Sequence, residues 1–158
     1  MKFLLIDDDL PCISNLKDVL ESGGHECALF QNPIEGIAAL KKDHFEIALI
    51  DFKMPLMNGL EVLRSLKTYN PEIFTIIITG YAETENTIDA LNMGAYAFFQ
   101  KPININKFMT TIKTIENELN AAKETENLFN KLNSEFNNIS NRVDKIIKSS
   151  DQILEKEK

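Results

Sequence analysis

The sequence predicts an α/β fold, a five-stranded doubly wound parallel sheet followed by a long C-terminal helical extension. Five short apolar runs alternate with helical patterns along the chain. Short runs of aliphatic and β-branched residues are typical of buried parallel strands. A strict alternation of strand and helix requires right-handed crossovers, which cover both faces of the sheet with helices. At 158 residues the chain suits one ordinary domain with some length to spare.

Each predicted element is justified by its own pattern. Proline near the start and glycine or proline after the end mark the helix boundaries. In the second helix, Ile34, Ile37 and Ala38 are expected to face inward. The strands are expected at 3–6, 27–30, 47–50, 73–78 and 96–99, and the helices between them at 11–22, 33–42, 59–69 and 83–93.

Charge and composition exclude several classes of protein. Residues 1–102 carry 8 basic and 15 acidic side chains, and residues 103–158 carry 9 of each, so the net charge of −7 lies in the first part. Neither part has the basic excess that direct nucleic-acid binding requires. The absence of a long apolar segment predicts no membrane span and a cytoplasmic location. The spacing of Cys12 and Cys27 does not suggest a metal or redox site.

Polar residues follow four of the predicted strands at the point where each strand ends. Asp7 and Asp8 follow the first strand, Asp51 the third, Thr79 the fourth and Lys101 the fifth. In an open α/β sheet, ligands bind outside the carboxyl ends of the strands. Two carboxylates 4 Å apart repel by roughly 4 kcal/mol at an effective dielectric constant near 20, so a divalent cation is expected among them. Mg²⁺ suits a few carboxylates with waters and phosphate oxygens.

The neighbouring Asp9 is expected to have a different role. It directly precedes the first predicted helix, and aspartate is a favoured residue at a helix N-cap. We therefore assign Asp9 to the helix start and not to the cation site.

Four motifs stand at the strand ends: Leu5-Ile6-Asp7-Asp8, the segment from Leu49 to Gly59, Ile78-Thr79-Gly80-Tyr81-Ala82, and the segment from Gly94 to Lys101-Pro102. Together they resemble bacterial two-component response-regulator receiver domains, which have a flavodoxin-like fold. The resemblance covers residues 1–120, and the third motif, with Thr79-Gly80-Tyr81-Ala82, is most similar to the nitrogen-regulator branch.

The resemblance implies a signalling switch that accepts a phosphoryl group from a sensor histidine kinase. Asp51 would be the phosphoacceptor, a carboxylate nucleophile that forms an aspartyl phosphate. Asp8, Asp51 and the backbone carbonyl of Lys53 would be direct ligands of Mg²⁺, and Asp7 would act mainly through water. Such a protein is a switch and not a turnover enzyme.

The resemblance also assigns residues that respond to the phosphoryl group. Lys101, next to an expected cis proline, would pair with one phosphoryl oxygen, and Thr79 would donate its hydroxyl to another. Gly80 would leave room for the group to enter. Phe98 stands where many family members have tyrosine, so the switch would work by ring burial without a hydroxyl contact. Lys53 and Tyr81 would affect the lifetime of the phosphoryl group.

Other functions agree less well with the residues. A phosphatase of the haloacid-dehalogenase type needs a second aspartate two residues after the nucleophile, where this chain has Lys53. A mononucleotide binder needs a glycine-rich phosphate loop after the first strand, where Asp7, Asp8 and Asp9 would repel an anion. A receiver used as a scaffold, or a fragment of a longer transcriptional regulator, remains an alternative.

The extension, residues 121–158, differs from the rest of the chain in composition and in apolar spacing. The chain contains no glycine after Gly94 and no proline after Pro102, which favours one long helix. Its apolar spacing slips near Glu126, as in a heptad pattern with a stammer. A dimerising coiled coil is one interpretation, and a docked or frayed helix rich in asparagine is the other. The later apolar positions are Phe129, Leu132, Phe136, Ile139, Val143, Ile146 and Ile153.

Overall fold

The computed structural model describes residues 1–80 and 84–156, with side chains described for 1–80 and 87–149. Five parallel strands form one sheet in the order β2-β1-β3-β4-β5. The strands are β1 (Lys2–Ile6), β2 (Glu26–Phe30), β3 (Ile47–Asp51), β4 (Phe74–Thr79) and β5 (Ala97–Gln100). The helices are α1 (Leu10–Ser22), α2 (Pro33–Leu40), α3 (Gly59–Tyr69), α4 (Thr84–Asn92) and α5 (Ile105–Lys156).

The predicted α/β fold and parallel sheet are confirmed, and one detail of α2 is wrong. Ile34 was expected to face inward but is 55% exposed, and Ala38 is also exposed. The buried residues of α2 are Pro33 and Gly36. At Gly36 an added Cβ would lie 2.6 Å from Cδ1 of Ile6, so α2 lies closest to the sheet at its smallest residue. The predicted start of α4 at Glu83 lies outside the described residues.

β3 is the central strand and is buried along its whole length. A strand covered on both faces must be apolar throughout, which explains the uninterrupted run from Ile47 to Ile50. The register pairs Ile50 with Ile6 of β1 and Asp51 with Ile78 of β4. The carboxyl ends of the three strands are therefore level, and the polar residues that end them meet at one edge.

The start of α3 lies directly against the end of β3. Asn58 and Glu61 form a capping box, in which each side chain accepts a hydrogen bond from the other residue's backbone N–H. The N–H of Gly59 donates to the carbonyl of Phe52 at 2.8 Å. A Cβ at Gly59 would lie 2.8 Å from the carbonyl oxygen of Asp51 and from Cα of Phe52. Only glycine allows this approach, because the obstructing atoms belong to the backbone.

The chain divides into two compact units, Met1–Lys113 and Thr114–Lys158. The helix α5 runs through the division, and the predicted boundary near residue 120 stays a prediction. Among the described residues, no helix is both long enough and apolar enough to cross a membrane.

We predict that Gly59→Ala lowers the free energy of unfolding by about 1–3 kcal/mol, because the new methyl group must displace the backbone after β3. Urea denaturation measures the change. Gly80→Ala is the matched control, since no atom of the described residues lies within 4 Å of a Cβ added at Gly80. An equal loss in both variants would show that helix and turn propensity, and not the close approach, sets the cost.

Candidate functional site

The predicted strand-end residues come together at one edge of the sheet. Asp7 is fully buried, Asp51 is 5% exposed and Asp8 is exposed. Each offers a carboxylate oxygen, and these oxygens lie within 4.8 Å of one another. Lys101 approaches the same cluster from the end of β5. The site therefore concentrates three carboxylates and one ammonium in a small volume.

Asp51 is held through both of its carboxylate oxygens. Oδ1 accepts from Nζ of Lys101 at 2.7 Å. Oδ2 accepts from the backbone N–H of Lys53 at 2.7 Å. The Lys53 contact arises because the chain turns immediately after β3 and directs an N–H back at the carboxylate. Asp51 thus has a defined orientation, with Oδ1 beside the Lys101 ammonium and Oδ2 beside the Lys53 N–H.

Lys101 bridges two carboxylates that come from different strands. Its ammonium lies 2.9 Å from Oδ2 of Asp7 and 2.7 Å from Oδ1 of Asp51, and its side chain is 20% exposed. The resemblance implied a phosphoryl oxygen as the partner of Lys101. In the structure the ammonium neutralises part of the acidic cluster directly. The Lys101–Pro102 peptide bond is cis, as the resemblance implied.

The electrostatics of the site follow from burial and close pairing. Burial raises the pKa of Asp7 above its usual value, although the hydrogen bond from Lys101 opposes the shift. Burial lowers the pKa of Lys101, but its hydrogen bonds to Asp51 and Asp7 outweigh that effect and raise the pKa overall. The lysine therefore stays charged. Without the ammonium of Lys101, the buried carboxylate of Asp7 would be costly to keep ionised.

Asp9 is a helix cap, as predicted. Its side chain accepts from the N–H of Cys12 at 3.4 Å at the start of α1. Its own N–H donates to Oδ1 of Asp7 at 2.8 Å. Asp9 thereby orients Asp7 through the backbone and leaves the cluster of three carboxylates to Asp7, Asp8 and Asp51.

The donor set fits a magnesium ion. All three side-chain donors are carboxylates, which are the ligands that hard divalent cations prefer. One lysine ammonium cannot balance three carboxylates, so the cluster has room for a further positive charge. Asp8 is exposed, so its carboxylate can contact a hydrated ion that enters from solvent.

The remaining predicted residues lie beside the cluster or outside the described residues. Thr79 is fully buried at the end of β4, and the space where a Gly80 side chain would lie is free of atoms from the part of the chain that the structure describes. Phe98 is partly buried and packs on the core, and its backbone partner in β4 is Ile77. Tyr81 lies outside the described residues.

One feature near the site carried no sequence signal. Leu56, in the loop between β3 and α3, has φ of 74° and is 74% exposed. A left-handed conformation is unfavourable for residues with a Cβ, and glycine or asparagine usually marks it in a sequence. Leucine gives no such mark. The loop keeps this conformation between two anchored points, the Lys53 contact with Asp51 and the capping box of α3.

The fold and the acidic strand-end cluster define a receiver-type α/β domain. Residues 3–113 match the family model described as "Response regulator receiver domain", which is more than half of the chain. The chain therefore belongs to the family of response regulator receiver domains.

Two curated proteins illustrate what the chain is similar to in sequence. The chain is 31% identical over 109 residues to the transcriptional regulatory protein ZraR of Klebsiella oxytoca, covering 69% of this chain and 25% of ZraR. It is 28% identical over 112 residues to sporulation initiation phosphotransferase F of Bacillus subtilis, covering 71% of this chain and 90% of that protein. The match thus spans about a quarter of the length of ZraR.

Two solved structures have the same fold. A CheY-like receiver domain protein of Methanospirillum hungatei superposes with a TM-score of 0.71 at 33% identity, covering 76% of this chain and 97% of that chain. The beryllofluoride-activated NtrC4 receiver domain dimer superposes with a TM-score of 0.71 at 28% identity, covering 74% and 97%. Each comparison covers about three quarters of this chain.

We predict that Lys101→Met lowers the free energy of unfolding by about 2–4 kcal/mol in EDTA, because the Asp7 and Asp51 carboxylates lose their shared cation. Millimolar Mg²⁺ should restore most of the loss. Urea denaturation with and without Mg²⁺ measures both effects.

The matched control is Lys42→Met, which removes an exposed lysine and should change stability by less than about 0.5 kcal/mol. If Mg²⁺ left the Lys101→Met deficit unchanged, the loss would come from packing and not from charge.

Proposed function

We propose that this receiver domain is a phosphorylation-dependent switch in which Asp51 accepts the phosphoryl group. The observation that carries the proposal is the position of Asp51, at the carboxyl end of the central strand, paired with Lys101 and clustered with Asp7 and Asp8. Its Oδ1 and Oδ2 are each oriented by a donor at 2.7 Å. A sensor histidine kinase is the proposed donor of the phosphoryl group, by family membership.

In the proposed reaction a carboxylate oxygen of Asp51 attacks the phosphorus of a phosphohistidine. An O–P bond forms and the P–N bond breaks, so the electron pair returns to the imidazole nitrogen, which takes up a proton. The open space beside Gly80 supports entry of the phosphoryl group. The product adds close to two negative charges, and Lys101 is near enough to pair with one of the new oxygens.

We propose that Asp8, Asp51 and the carbonyl of Lys53 hold Mg²⁺, with Asp7 acting through water. When bound, the ion would neutralise the carboxylates and the charge that develops on the transferring group. The protein residues orient the Asp51 carboxylate and balance the negative charge of the phosphoryl group. Membership of the receiver family favours a switch over a turnover enzyme.

The proposed switch uses Thr79 and Phe98. Side chains alternate across a strand, so Thr79 lies on the same face of β4 as Ile77, against which the backbone of Phe98 pairs. A movement of Thr79 toward the phosphoryl group would open space on the face where the Phe98 ring packs. The ring can fill that space by burial alone, since it has no hydroxyl group.

We predict that Asp51→Asn abolishes acid-labile labelling by a phospho-donor in the presence of Mg²⁺, because the amide is not a competent nucleophile. Radiolabel retained on the protein measures the reaction. Asp43→Asn, an exposed aspartate away from the cluster, should label like the native protein. Labelling that persists in Asp51→Asn would place the acceptor elsewhere.

We further propose that residues 121–158 form a homodimerising extension to a receiver domain at 1–120. Eight large apolar side chains of α5 are exposed over the stretch from Leu128 to Ile147, and an exposed apolar stripe of this length favours association. No direct nucleic-acid binding is proposed for this chain, given its acidic charge. The free cysteines Cys12 and Cys27 agree with a cytoplasmic location.

We predict that Phe136→Glu shifts the full-length protein from dimer to monomer, because it places a charge within the apolar stripe. Light scattering measures the mass. Ser134→Glu adds the same charge two residues away on the other side of the helix and should leave the dimer intact. A monomeric native protein would overturn the proposed dimer while leaving the phosphoacceptor site untouched.

A further inference from the structure

The apolar stripe of α5 has a regular heptad spacing that identifies which residues face a partner. From residue 129 to 146, large apolar side chains recur at alternating intervals of three and four residues, which is the pattern of a and d positions in a coiled coil. Every one is between 47% and 70% exposed. The a positions are Phe129, Phe136 and Val143, and the d positions are Leu132, Ile139 and Ile146.

We propose that the partner of this stripe is a second copy of α5 running antiparallel, with the two-fold axis passing between Asn137 and Asn138. This inference rests on the proposed homodimer and specifies its geometry. Two arguments favour it over a parallel pair, one from the sizes of the core side chains and one from the charges beside them.

The first argument concerns side-chain volume. In the antiparallel register every a residue faces a d residue of the other helix, so Phe136 faces Ile139, Phe129 faces Ile146, and Val143 faces Leu132. Each phenyl ring then meets an aliphatic side chain, and six layers have similar volumes. In a parallel register identical residues meet. The six layers would then be two phenylalanine pairs, one leucine pair, two isoleucine pairs and one valine pair, whose volumes differ more than those of the mixed layers, so the packing would be uneven.

The second argument concerns the charges that border the core. Glu135 and Arg142 both occupy g positions, one heptad apart. In an antiparallel pair g positions face g positions, and the proposed axis brings Glu135 of each helix opposite Arg142 of the other. In a parallel pair g faces e of the next heptad, so Glu135 would meet Ser140 and Arg142 would meet Ile147. Only the antiparallel arrangement forms reciprocal ion pairs, and such flanking pairs set helix orientation.

Disulfide trapping in the full-length protein tests the orientation. Leu132→Cys and Val143→Cys are introduced singly and together, in a background where Cys12 and Cys27 are replaced by serine. Antiparallel helices place position 132 opposite position 143, whereas two copies of position 132 lie ~16 Å apart along the axis at a rise of about 1.5 Å per residue. A disulfide requires Cα atoms within about 7 Å.

The expected result is a covalent dimer in the double variant and in a mixture of the two single variants, with none in either single variant alone. Cross-linking of each single variant with itself would overturn the antiparallel arrangement while preserving the proposed dimer. The absence of any cross-link, with a monomeric mass for the native protein, would overturn both. Covalent trimers or larger species would overturn the two-helix arrangement.

A charge exchange provides a second test without cysteine. Glu135→Arg or Arg142→Glu should each raise the dimer dissociation constant about tenfold, because two exposed ion pairs become repulsive. The double exchange should return the constant to within about twofold of the native value. Sedimentation equilibrium measures the three constants. The pairing would be overturned if the single exchanges left the dissociation constant unchanged. It would also be overturned if the double exchange raised the constant by the product of the two single increases.

Discussion

The rest of the site depends on the cost of placing three carboxylates at one edge of a sheet. Asp7 and Asp51 are buried, and Asp8 lies beside them within the 4.8 Å cluster. Lys101 crosses from β5 to bind two of the three and so reduces the repulsion among them. Because one ammonium cannot balance three carboxylates, the edge keeps an affinity for further positive charge. That residual negative charge favours binding of a divalent cation.

The geometry of Asp51 depends on how closely the backbone packs behind it. Gly59 brings the start of α3 against the end of β3, and the Asn58–Glu61 capping box fixes the first turn of the helix. Between these anchors the chain turns so that the N–H of Lys53 reaches the carboxylate of Asp51. The loop after Asp51 is therefore defined by backbone contacts, and its exposed side chains can vary without moving the Asp51 carboxylate.

Much of the fold and of the candidate site could be predicted from the sequence. The apolar runs and their punctuation placed all five strands within one or two residues, because a strand buried on both faces must be apolar without interruption. The inward face of α2 could not be predicted in the same way. Ile34 is exposed, and Gly36 is buried because the helix approaches Ile6 closely. Residue hydrophobicity does not reveal where two elements pack at short distance.

By itself the sequence determined the order of elements, the strand-end aspartates and the heptad spacing of α5, because these follow from local periodicity and residue chemistry. Only the tertiary structure decided which charges pair. Lys101 reaches both Asp7 and Asp51, although 94 positions separate Lys101 from Asp7 along the chain. It also decided that Leu56 adopts a left-handed conformation. Charge pairing across strands depends on sheet order and register. The left-handed conformation of Leu56 depends on the anchored ends of its loop. Neither is a local property of the sequence.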